Sequence, residues 1–263
     1  MASLSRRHFL GSTAGSALAA AVLPIAVPTA GAAQQGGRLR VQFATGGHTS
    51  PLQMYAMFES ALFQDLDTVV LPHPDPFHPV GTPDAPHVIV TNDWITGQWP
   101  KKDQDNMQRH IEGGGGVVVL HHAVGSNNGT ATVPGWKWWN EEVLGCYLYN
   151  PNVPGVKTSA RLKQFPVQTI TPVGSHPIVR GIEPFQLPWD ETFPNMWISN
   201  KATVLLTSDD PSFNNPAVAW VGPALPRGRC VCLQPGHTAI VCQDPTYRQI
   251  VHSAILWAGG RLS

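Results

Sequence analysis

Short apolar runs alternate with amphipathic stretches along the chain, and this alternation predicts strands separated by helices. The runs are nearly continuous and rich in β-branched residues, as in strands buried on both faces. They lie at residues 39–44, 68–71, 87–91, 117–120, 203–207, 217–221 and 229–233. Helices are predicted after Ser50-Pro51, a hydroxyl and a proline suited to a helix start, and at 101–112 and 245–257. This order favours an α/β fold, a doubly wound, mainly parallel sheet with helices on both faces.

The segment 123–200 departs from this pattern. It is dense in glycine, proline and tryptophan, which favour turns and shaped loops over regular elements. In open α/β sheets, ligands bind outside the carboxyl ends of the strands. We therefore expect this segment to be a covering region over the rim of the sheet at which a ligand binds.

The first 32 residues are expected to be a cleaved signal peptide. Ser5-Arg6-Arg7-His8-Phe9-Leu10 is a charged start, an apolar stretch follows to Val27, and Ala30-Gly31-Ala32-Ala33 resembles a cleavage site. A twin arginine followed by Phe and Leu is typical of a Tat signal. Residues 33–263 are then expected to be one domain, periplasmic or secreted in a bacterium, with the Tat export machinery as a transient partner. Glycine, serine and proline interrupt the apolar stretch, so we expect no membrane span in the mature chain.

The composition narrows the classes of function. Charged residues make up 13% of the chain, with 17 Lys and Arg against 17 Asp and Glu. A nucleic-acid-binding protein needs clustered Lys and Arg to neutralise phosphates, so we expect no nucleic-acid partner. The hydrophobic share of 42% excludes an intrinsically disordered chain. The four cysteines lack both Cys-x-x-Cys zinc spacing and a dense disulfide framework, and they are expected to be buried thiols with at most one disulfide bridge.

Polar residues collect where predicted strands end. They are Gly47, His48, Asn92, Asp93, His121 and His122, with His237 after a later strand. Imidazoles titrate near neutral pH and can serve as acid, base or metal ligand. Glycine allows the backbone to approach a ligand closely. We therefore predict that the four histidines and Asp93 are catalytic and that Gly47 and Asn92 bind substrate.

Asp190 and Glu191 are further candidates for acid/base chemistry. They stand in an otherwise uncharged aromatic stretch, residues 185–197. Such carboxylates are either paired with a base such as Arg180 or held near a pocket with a raised pKa suited to proton transfer.

Each functional interpretation has a structural alternative. Neighbouring residues on a strand point to opposite faces, so His121 and His122 can share one site only if the strand has ended. His48 can instead make a helix-start hydrogen bond, and His237 is open to a similar structural explanation. Asp93 can be ordinary turn chemistry after a strand.

The tryptophans also have two interpretations. Trp220 and Trp257 alternate with apolar neighbours and are expected in the core. Trp94, Trp138 and Trp189 lie in predicted covering loops, where their faces either stack on sugar rings or pack the covering region. We take these three as candidate substrate-binding residues.

A series of short motifs runs in order through nearly the whole mature chain. They are Ala44-Thr45-Gly46-Gly47-His48, residues 113–122 leading to Trp138 and Leu144-Gly145, residues 175–181, Asp190-Glu191 with Phe193, Ala219-Trp220, Gly228-Arg229, Gly236-His237 and residues 255–258. In this order they resemble the ThuA-like (trehalose-utilisation) family. The resemblance implies a class I glutamine amidotransferase-like, flavodoxin-like fold. After Leu144-Gly145 the chain reads Cys146-Tyr147-Leu148-Tyr149-Asn150 and lacks the family's usual histidine.

The resemblance also implies carbohydrate processing, on trehalose-like disaccharides or other glycosides, including their 3-keto derivatives. A carbonyl acidifies neighbouring C–H bonds, so a base, an acid and an electrophile can isomerise a keto sugar or remove its glycosidic substituent. Acyl-transfer enzymes of the amidotransferase fold carry a nucleophilic cysteine on a strand-to-helix elbow. Here the equivalent strand ends Leu120-His121-His122-Ala123, which argues against a glutaminase or a Ser/Cys hydrolase.

Two hypotheses of function follow. The first is an exported enzyme that acts on a small-molecule carbohydrate by acid/base chemistry. It requires no particular cofactor, but a divalent metal held by His122, Glu191 and His237 is an open alternative. The second is a non-catalytic periplasmic carbohydrate-binding or accessory protein. A redox function is disfavoured, because a bridge between Cys230 and Cys232 on one strand would be strained.

Overall fold

The computed structural model describes residues 37–46, 52–72, 85–94, 97–129, 133–148, 163–194, 196–211, 213 and 215–263. The predicted signal peptide, the helix start at Ser50-Pro51, and the candidate site residues Gly47 and His48 lie outside these ranges.

The described part of the chain contains eleven strands and four α-helices. The strands are β1 (Leu39–Gly46), β2 (Leu66–Pro72), β3 (Val88–Asp93), β4 (Gly116–Leu120), β5 (Cys146–Tyr147), β6 (Lys163–Pro172), β7 (Phe185–Thr192), β8 (Trp197–Ile198), β9 (Thr203–Ser208), β10 (Ala217–Val221) and β11 (Arg229–Leu233). The helices are α1 (Leu52–Phe58), α2 (Lys101–Glu112), α3 (Ala239–Gln243) and α4 (Pro245–Ala258), with a π-helix at Trp138–Leu144. All seven predicted strands and all three predicted helices are present.

One nine-stranded sheet organises the molecule, in the order β2-β1-β3-β4-β11-β10-β9-β6-β7. The first five strands in this order are parallel to one another, and the remaining strands pair antiparallel. Leu120 of β4 and Leu233 of β11 are partners in register, so the residues that follow these two strands leave the sheet side by side. The predicted α/β fold with a mainly parallel sheet is confirmed. The carboxyl ends of the five parallel strands lie along one edge of the sheet.

Two hydrophobic cores cover the two faces of the sheet. In β4, Val118 and Leu120 pack into the core that contains α1 and α4, whereas Val117 and Val119 pack into the core that contains α2 and the π-helix. This alternation follows from the period of two along a strand. Because both faces are covered, the parallel strands are apolar on both sides, as their sequences predict.

The end of α2 is locked to the start of β4. His110 is buried in the last turn of α2, and its Nε2 donates to the carbonyl of Gly116, 2.9 Å away. A Cβ at Gly115 would lie within 2.5 Å of the His110 ring, so only glycine fits above the imidazole. The glycine run predicted to end α2 therefore also leaves room for the buried His110 ring beside Gly115.

The predicted covering region 123–200 is too broad. It contains β6 and β7, which form a hairpin, here called the β6–β7 hairpin, at the end of the main sheet. β9 pairs with β6 only through residues 170–172, whereas β6 and β7 pair over most of their length. Most of the β6–β7 hairpin is therefore not paired with β9, the strand that joins it to the rest of the sheet. Its prolines, which usually mark loops, hid these two strands from the sequence analysis.

The cysteines are all free and buried. Cys230 and Cys232 lie on the same face of β11, as the spacing predicts, and their Sγ atoms are 3.9 Å apart without a disulfide bond. This agrees with the expected buried thiols. Among the described residues, no helix is long and apolar enough to cross a membrane.

Candidate active site

Four side chains converge beyond the carboxyl ends of β4 and β11. His121 and His122 follow β4, His237 lies in the connection between β11 and α3, and Glu191 is on β7. Glu191 Oε2 lies 3.0 Å from His121 Nε2, 3.4 Å from His122 Nε2 and 3.0 Å from His237 Nδ1. His121 Nε2 and His237 Nδ1 are 3.1 Å apart. We call these four residues the His/Glu cluster.

Both neighbouring histidines reach the cluster because the strand ends between Leu120 and His121. The backbone of His121 has φ +47°, in the left-handed region that residues other than glycine seldom adopt. A 3-10 turn, His121–Gly125, follows directly. The change of backbone direction removes the strand alternation that would have placed the two imidazoles on opposite faces.

The orientation of His121 is fixed from two sides. Its Nδ1 lies 2.8 Å from the carbonyl oxygen of Gln234. Gln234 follows β11 directly, as His121 follows β4, and the two strands are paired at their last residues. A carbonyl can only accept, so Nδ1 carries the proton and Nε2 faces the cluster. The ring of Phe193 stacks on the His121 imidazole, with centroids 5.2 Å apart. The Gln234 side chain in turn accepts from the Phe193 N–H at 3.0 Å.

Asp190 positions the loop that carries His237. Its carboxylate accepts hydrogen bonds from the backbone N–H groups of Gly236, His237 and Thr238 at 2.8, 2.9 and 3.1 Å. The side chain is fully buried, and burial raises the pKa of Asp190 against the opposing effects of His121 and the N–H donors. The Arg180 guanidinium, the alternative partner considered for this pair, donates instead to the Ser263 carbonyl.

The cluster binds protons unequally. Burial disfavours ionisation of Glu191, but hydrogen bonds from His121, His122 and His237 outweigh it and hold the pKa of this carboxyl well below its usual range. The hydrogen bond to Glu191 raises the pKa of His237 in spite of partial burial. At neutral pH the cluster therefore holds an ionised carboxylate beside an imidazole that keeps a proton to higher pH than a free histidine does.

The cluster opens toward solvent on the His237 side. The His237 side chain is 29% exposed, compared with 0% for His121, 9% for His122 and 7% for Glu191. Trp94 is half-buried, and its ring meets the edge of His122 with centroids 6.3 Å apart. A ligand can thus reach the cluster past His237.

Four of the predicted catalytic residues form the cluster: His121, His122, Glu191 and His237. Asp93 is on the same edge of the sheet but is fully buried, and its carboxylate accepts hydrogen bonds from the Thr91 hydroxyl and the Trp99 indole N–H. Asn92 beside it is also buried.

The candidate sugar-binding tryptophans have different surroundings. Trp138 is half-buried and packs on Trp136, with ring centroids 5.2 Å apart, as expected for a residue that packs the covering region. Trp189 is 43% exposed, and its carbonyl accepts from the Thr238 hydroxyl at 2.8 Å. Of these three tryptophans, Trp94 has a ring contact with the cluster.

An asparagine network that was not predicted from the sequence shapes the loop after β4. The Asn128 side chain donates to Asn140 Oδ1 at 2.8 Å, and the Asn140 side chain donates to the Asn127 backbone carbonyl at 2.7 Å. Asn127 Oδ1 accepts from the backbone N–H of Trp99 at 2.6 Å. These side chains are fully buried or nearly so. The pair Asn127-Asn128, five residues after His122, was the available signal, because an asparagine amide offers both donors and an acceptor to the backbone of a loop. Gln234 was missed as well.

Comparison with known protein families identifies a family for this chain. The profile of the ThuA family, described as trehalose utilisation, matches residues 74–258, a span that includes all four residues of the His/Glu cluster. The chain belongs to the ThuA family. No match is found among curated protein sequences.

Solved structures agree with the ThuA assignment. A ThuA-like protein from Parabacteroides merdae is 16% identical with a TM-score of 0.64, covering 86% of this chain and 92% of that protein. A ThuA-like protein from Bacteroides uniformis is 18% identical with a TM-score of 0.62, covering 85% and 92%. A glutamine amidotransferase from Thermotoga maritima is 10% identical with a TM-score of 0.50, covering 84% and 98%. The amidotransferase-like fold implied by the sequence resemblance is confirmed.

Proposed function

We propose that this ThuA-family chain is an exported carbohydrate-processing enzyme that acts on a glycoside or 3-keto sugar by acid/base chemistry at the His/Glu cluster. The observation that carries the proposal is the convergence of three imidazoles on one carboxylate oxygen at the ligand-binding edge of the sheet. The family description, trehalose utilisation, supports a carbohydrate substrate.

A 3-keto glycoside suits such a site because its carbonyl acidifies the C2–H bond. Removal of this proton gives an enolate, and the enolate expels the substituent at C1 as the C1–O bond breaks and a C1–C2 double bond forms. The leaving oxygen takes a proton, so one proton is removed and one is delivered. If the enolate is instead protonated at C3 while the C2 hydroxyl loses its proton, the product is the 2-keto isomer. Addition of water to the C1–C2 double bond of the elimination product gives net hydrolysis.

The cluster offers groups for these proton transfers. Glu191 is ionised and can accept a proton, while His237 holds one and is the most exposed of the four side chains. His121 and His122 flank Glu191 on the buried side and place polar groups where an enolate oxygen would develop charge. The half-buried ring of Trp94 beside His122 is suited to the apolar face of a sugar.

Nucleophilic acyl transfer is disfavoured. His121 takes the turn after β4 that carries the nucleophile in amidotransferase-fold enzymes. The four cysteines are buried, and the hydroxyl of Ser126 donates to the Asp93 carbonyl at 2.7 Å. Neither group is placed as an activated nucleophile would be.

Turnover is tested with mature protein and a panel of glycosides and their 3-keto derivatives, with substrate loss followed by NMR. We expect consumption of a keto-glycoside by the wild type and at least about a 100-fold loss of rate in Glu191→Gln and His122→Ala, since positioned acids and bases contribute roughly 10²–10⁴-fold. Glu112→Gln, at the exposed end of α2, is the matched control and should keep the wild-type rate.

The competing function is non-catalytic carbohydrate binding. It predicts a dissociation constant for a glycoside that Trp94→Ala weakens, and no turnover in any variant. Binding without turnover, with folding of each variant checked by circular dichroism, would sink the enzyme proposal.

A further inference from the structure

We propose that the His/Glu cluster is a binding site for one divalent transition-metal ion, with His121 Nε2, His122 Nε2, His237 Nδ1 and one oxygen of Glu191 as ligands. The sequence suggested His122, Glu191 and His237 as ligands, and the geometry adds His121. The inference deepens the proposed function and rests on the same site, but ion binding is measurable without any sugar.

The spacing of the four ligand atoms fits a single ion. They all lie within 4.8 Å of one another, and the contacts to Glu191 Oε2 span 3.0–3.4 Å. An ion bound at about 2.0–2.2 Å by nitrogen and oxygen ligands in a tetrahedron holds them roughly 3.4 Å apart. Small adjustments of side chains on three separate segments would suffice to admit the ion.

One ligand atom of the cluster is already oriented for an ion. His121 Nδ1 donates to the Gln234 carbonyl, so the lone pair of the neutral imidazole that binds a metal lies on Nε2. This Nε2 lies 3.0 Å from Glu191 Oε2 and 3.1 Å from His237 Nδ1. Imidazole nitrogens and carboxylate oxygens are common ligands of divalent transition metals. A cation among these atoms would make four favourable contacts.

The surroundings of the cluster are those of an ordered metal site. Metal-binding imidazoles commonly donate their other N–H to a carbonyl or carboxylate, which fixes the ring. His121 makes this bond to Gln234, and Phe193 restrains the same ring by stacking. The loop of His237 is held by Asp190 through three backbone N–H groups. The ligands are therefore oriented before an ion arrives.

The donor set indicates which ions would bind. Imidazole nitrogen suits zinc, iron, nickel and copper, whereas sites for magnesium and calcium are built from oxygen. Three imidazoles and one carboxylate thus favour Zn²⁺ or Co²⁺ over Mg²⁺. The exposed side of the cluster, at His237, would leave the ion accessible to a substrate oxygen. In the metal-bound site the ion would take over the electrophilic role of the imidazoles, and the Glu191 oxygen that does not bind it would remain to accept a proton.

The test is a titration of chelator-treated mature protein with Co²⁺, followed by visible absorption and by calorimetry with Zn²⁺. We expect one ion per chain and a raised melting temperature. His237→Ala and Glu191→Gln should weaken binding by more than the roughly 10–100-fold that loss of an orienting partner costs. His252→Ala, which removes an imidazole that pairs with Asp65 away from the cluster, should bind as the wild type does.

Failure of this inference is separable from failure of the proposed function. No saturable binding by the wild type, or equal binding by the wild type and His237→Ala, would overturn the metal site. His237 is the most exposed ligand, so its variant is the least prone to misfold, and circular dichroism checks its fold. Tight binding without sugar turnover would leave the site standing and remove the function, whereas sugar turnover by a wild type that shows no saturable metal binding would remove the site and leave the function.

Discussion

His121 shows how one backbone angle decides the composition of a site. On an extended strand only one of two neighbouring histidines could have faced Glu191, yet φ +47° at His121 brings both to within 3.4 Å of its carboxylate. The sequence predicts where a strand ends only to within a residue or two. Here, ending β4 at Leu120 and not one residue later decides whether both histidines reach Glu191. The candidates were therefore predictable, but their meeting was not.

Asp190 is predicted to act through the backbone of its neighbouring loop. Asp190→Asn exchanges one accepting oxygen for an NH₂ group that faces N–H donors, which should lower the free energy of unfolding by about 1–3 kcal/mol. With the loop loosened, the affinity for Co²⁺ should fall about 10–100-fold. Chemical denaturation and the Co²⁺ titration measure the two effects.

The control for this change is Asp105→Asn, an aspartate that pairs with Lys101 on the surface of α2. Its effect on the free energy of unfolding should stay below about 1 kcal/mol, as for other exposed ion pairs. If Asp190→Asn were as mild as this control and left the Co²⁺ affinity unchanged, Asp190 would not position the His237 loop.

At the scale of elements, the pattern of hydrophobic positions predicted the strands with continuous apolar runs. It missed strands in which polar and apolar residues are mixed, such as β6. The runs that became β10 and β11 and the stretch that became α2 were predicted with the bounds observed. β6 was not, because prolines interrupt it and its residues do not sort by polarity. Val167 is 53% exposed while Gln168 is 97% covered by its neighbours. Such a strand is defined by its partners and not by its own periodicity.

The junction between α2 and β4 predicts a pH dependence of stability. Burial lowers the pKa of His110 to about 4, whereas an unfolded histidine titrates near 6.5. Between these values the unfolded chain binds a proton that the folded chain excludes, so stability is full above pH 6.5 and is lost as pH falls toward 4. We expect His110 to cost about 2 kcal/mol of the free energy of unfolding between pH 7.5 and 5.

Urea unfolding of the wild type and His110→Gln at the two pH values isolates this contribution. The variant should lose roughly 2 kcal/mol less than the wild type on acidification, because its amide can donate to Gly116 but does not titrate. Parallel losses in the two proteins would assign the acid sensitivity to other groups.

At the scale of the whole molecule, export is a proposal that rests on the N-terminal sequence. The twin arginine, Arg6-Arg7, precedes an apolar stretch that ends in small residues. In a bacterium with a Tat system, replacing both arginines by lysine should keep the protein in the cytoplasm at its full length. Fractionation and mass spectrometry of the two proteins make the comparison, and export of the double variant with the same processing would contradict a Tat route.

The family and its fold could be predicted from the sequence because several of the motifs, residues 113–122, Gly228-Arg229 and Gly236-His237, lie in the parallel strands or beside their ends. The arrangement of the site could not, because it depends on how the β6–β7 hairpin approaches β4 and β11. Contacts between residues 70 and 116 positions apart bring Glu191 and His237 to His121. No local pattern encodes such distances.

The β6–β7 hairpin also makes the cluster depend on one edge of the sheet. It joins the sheet through the last three residues of β6, and it carries Glu191 to histidines that follow β4 and β11, two strands whose own pairing does not involve the hairpin. A substitution that separates β6 from β9 would therefore take the carboxylate away from the imidazoles and leave the pairing of β4 with β11 in place.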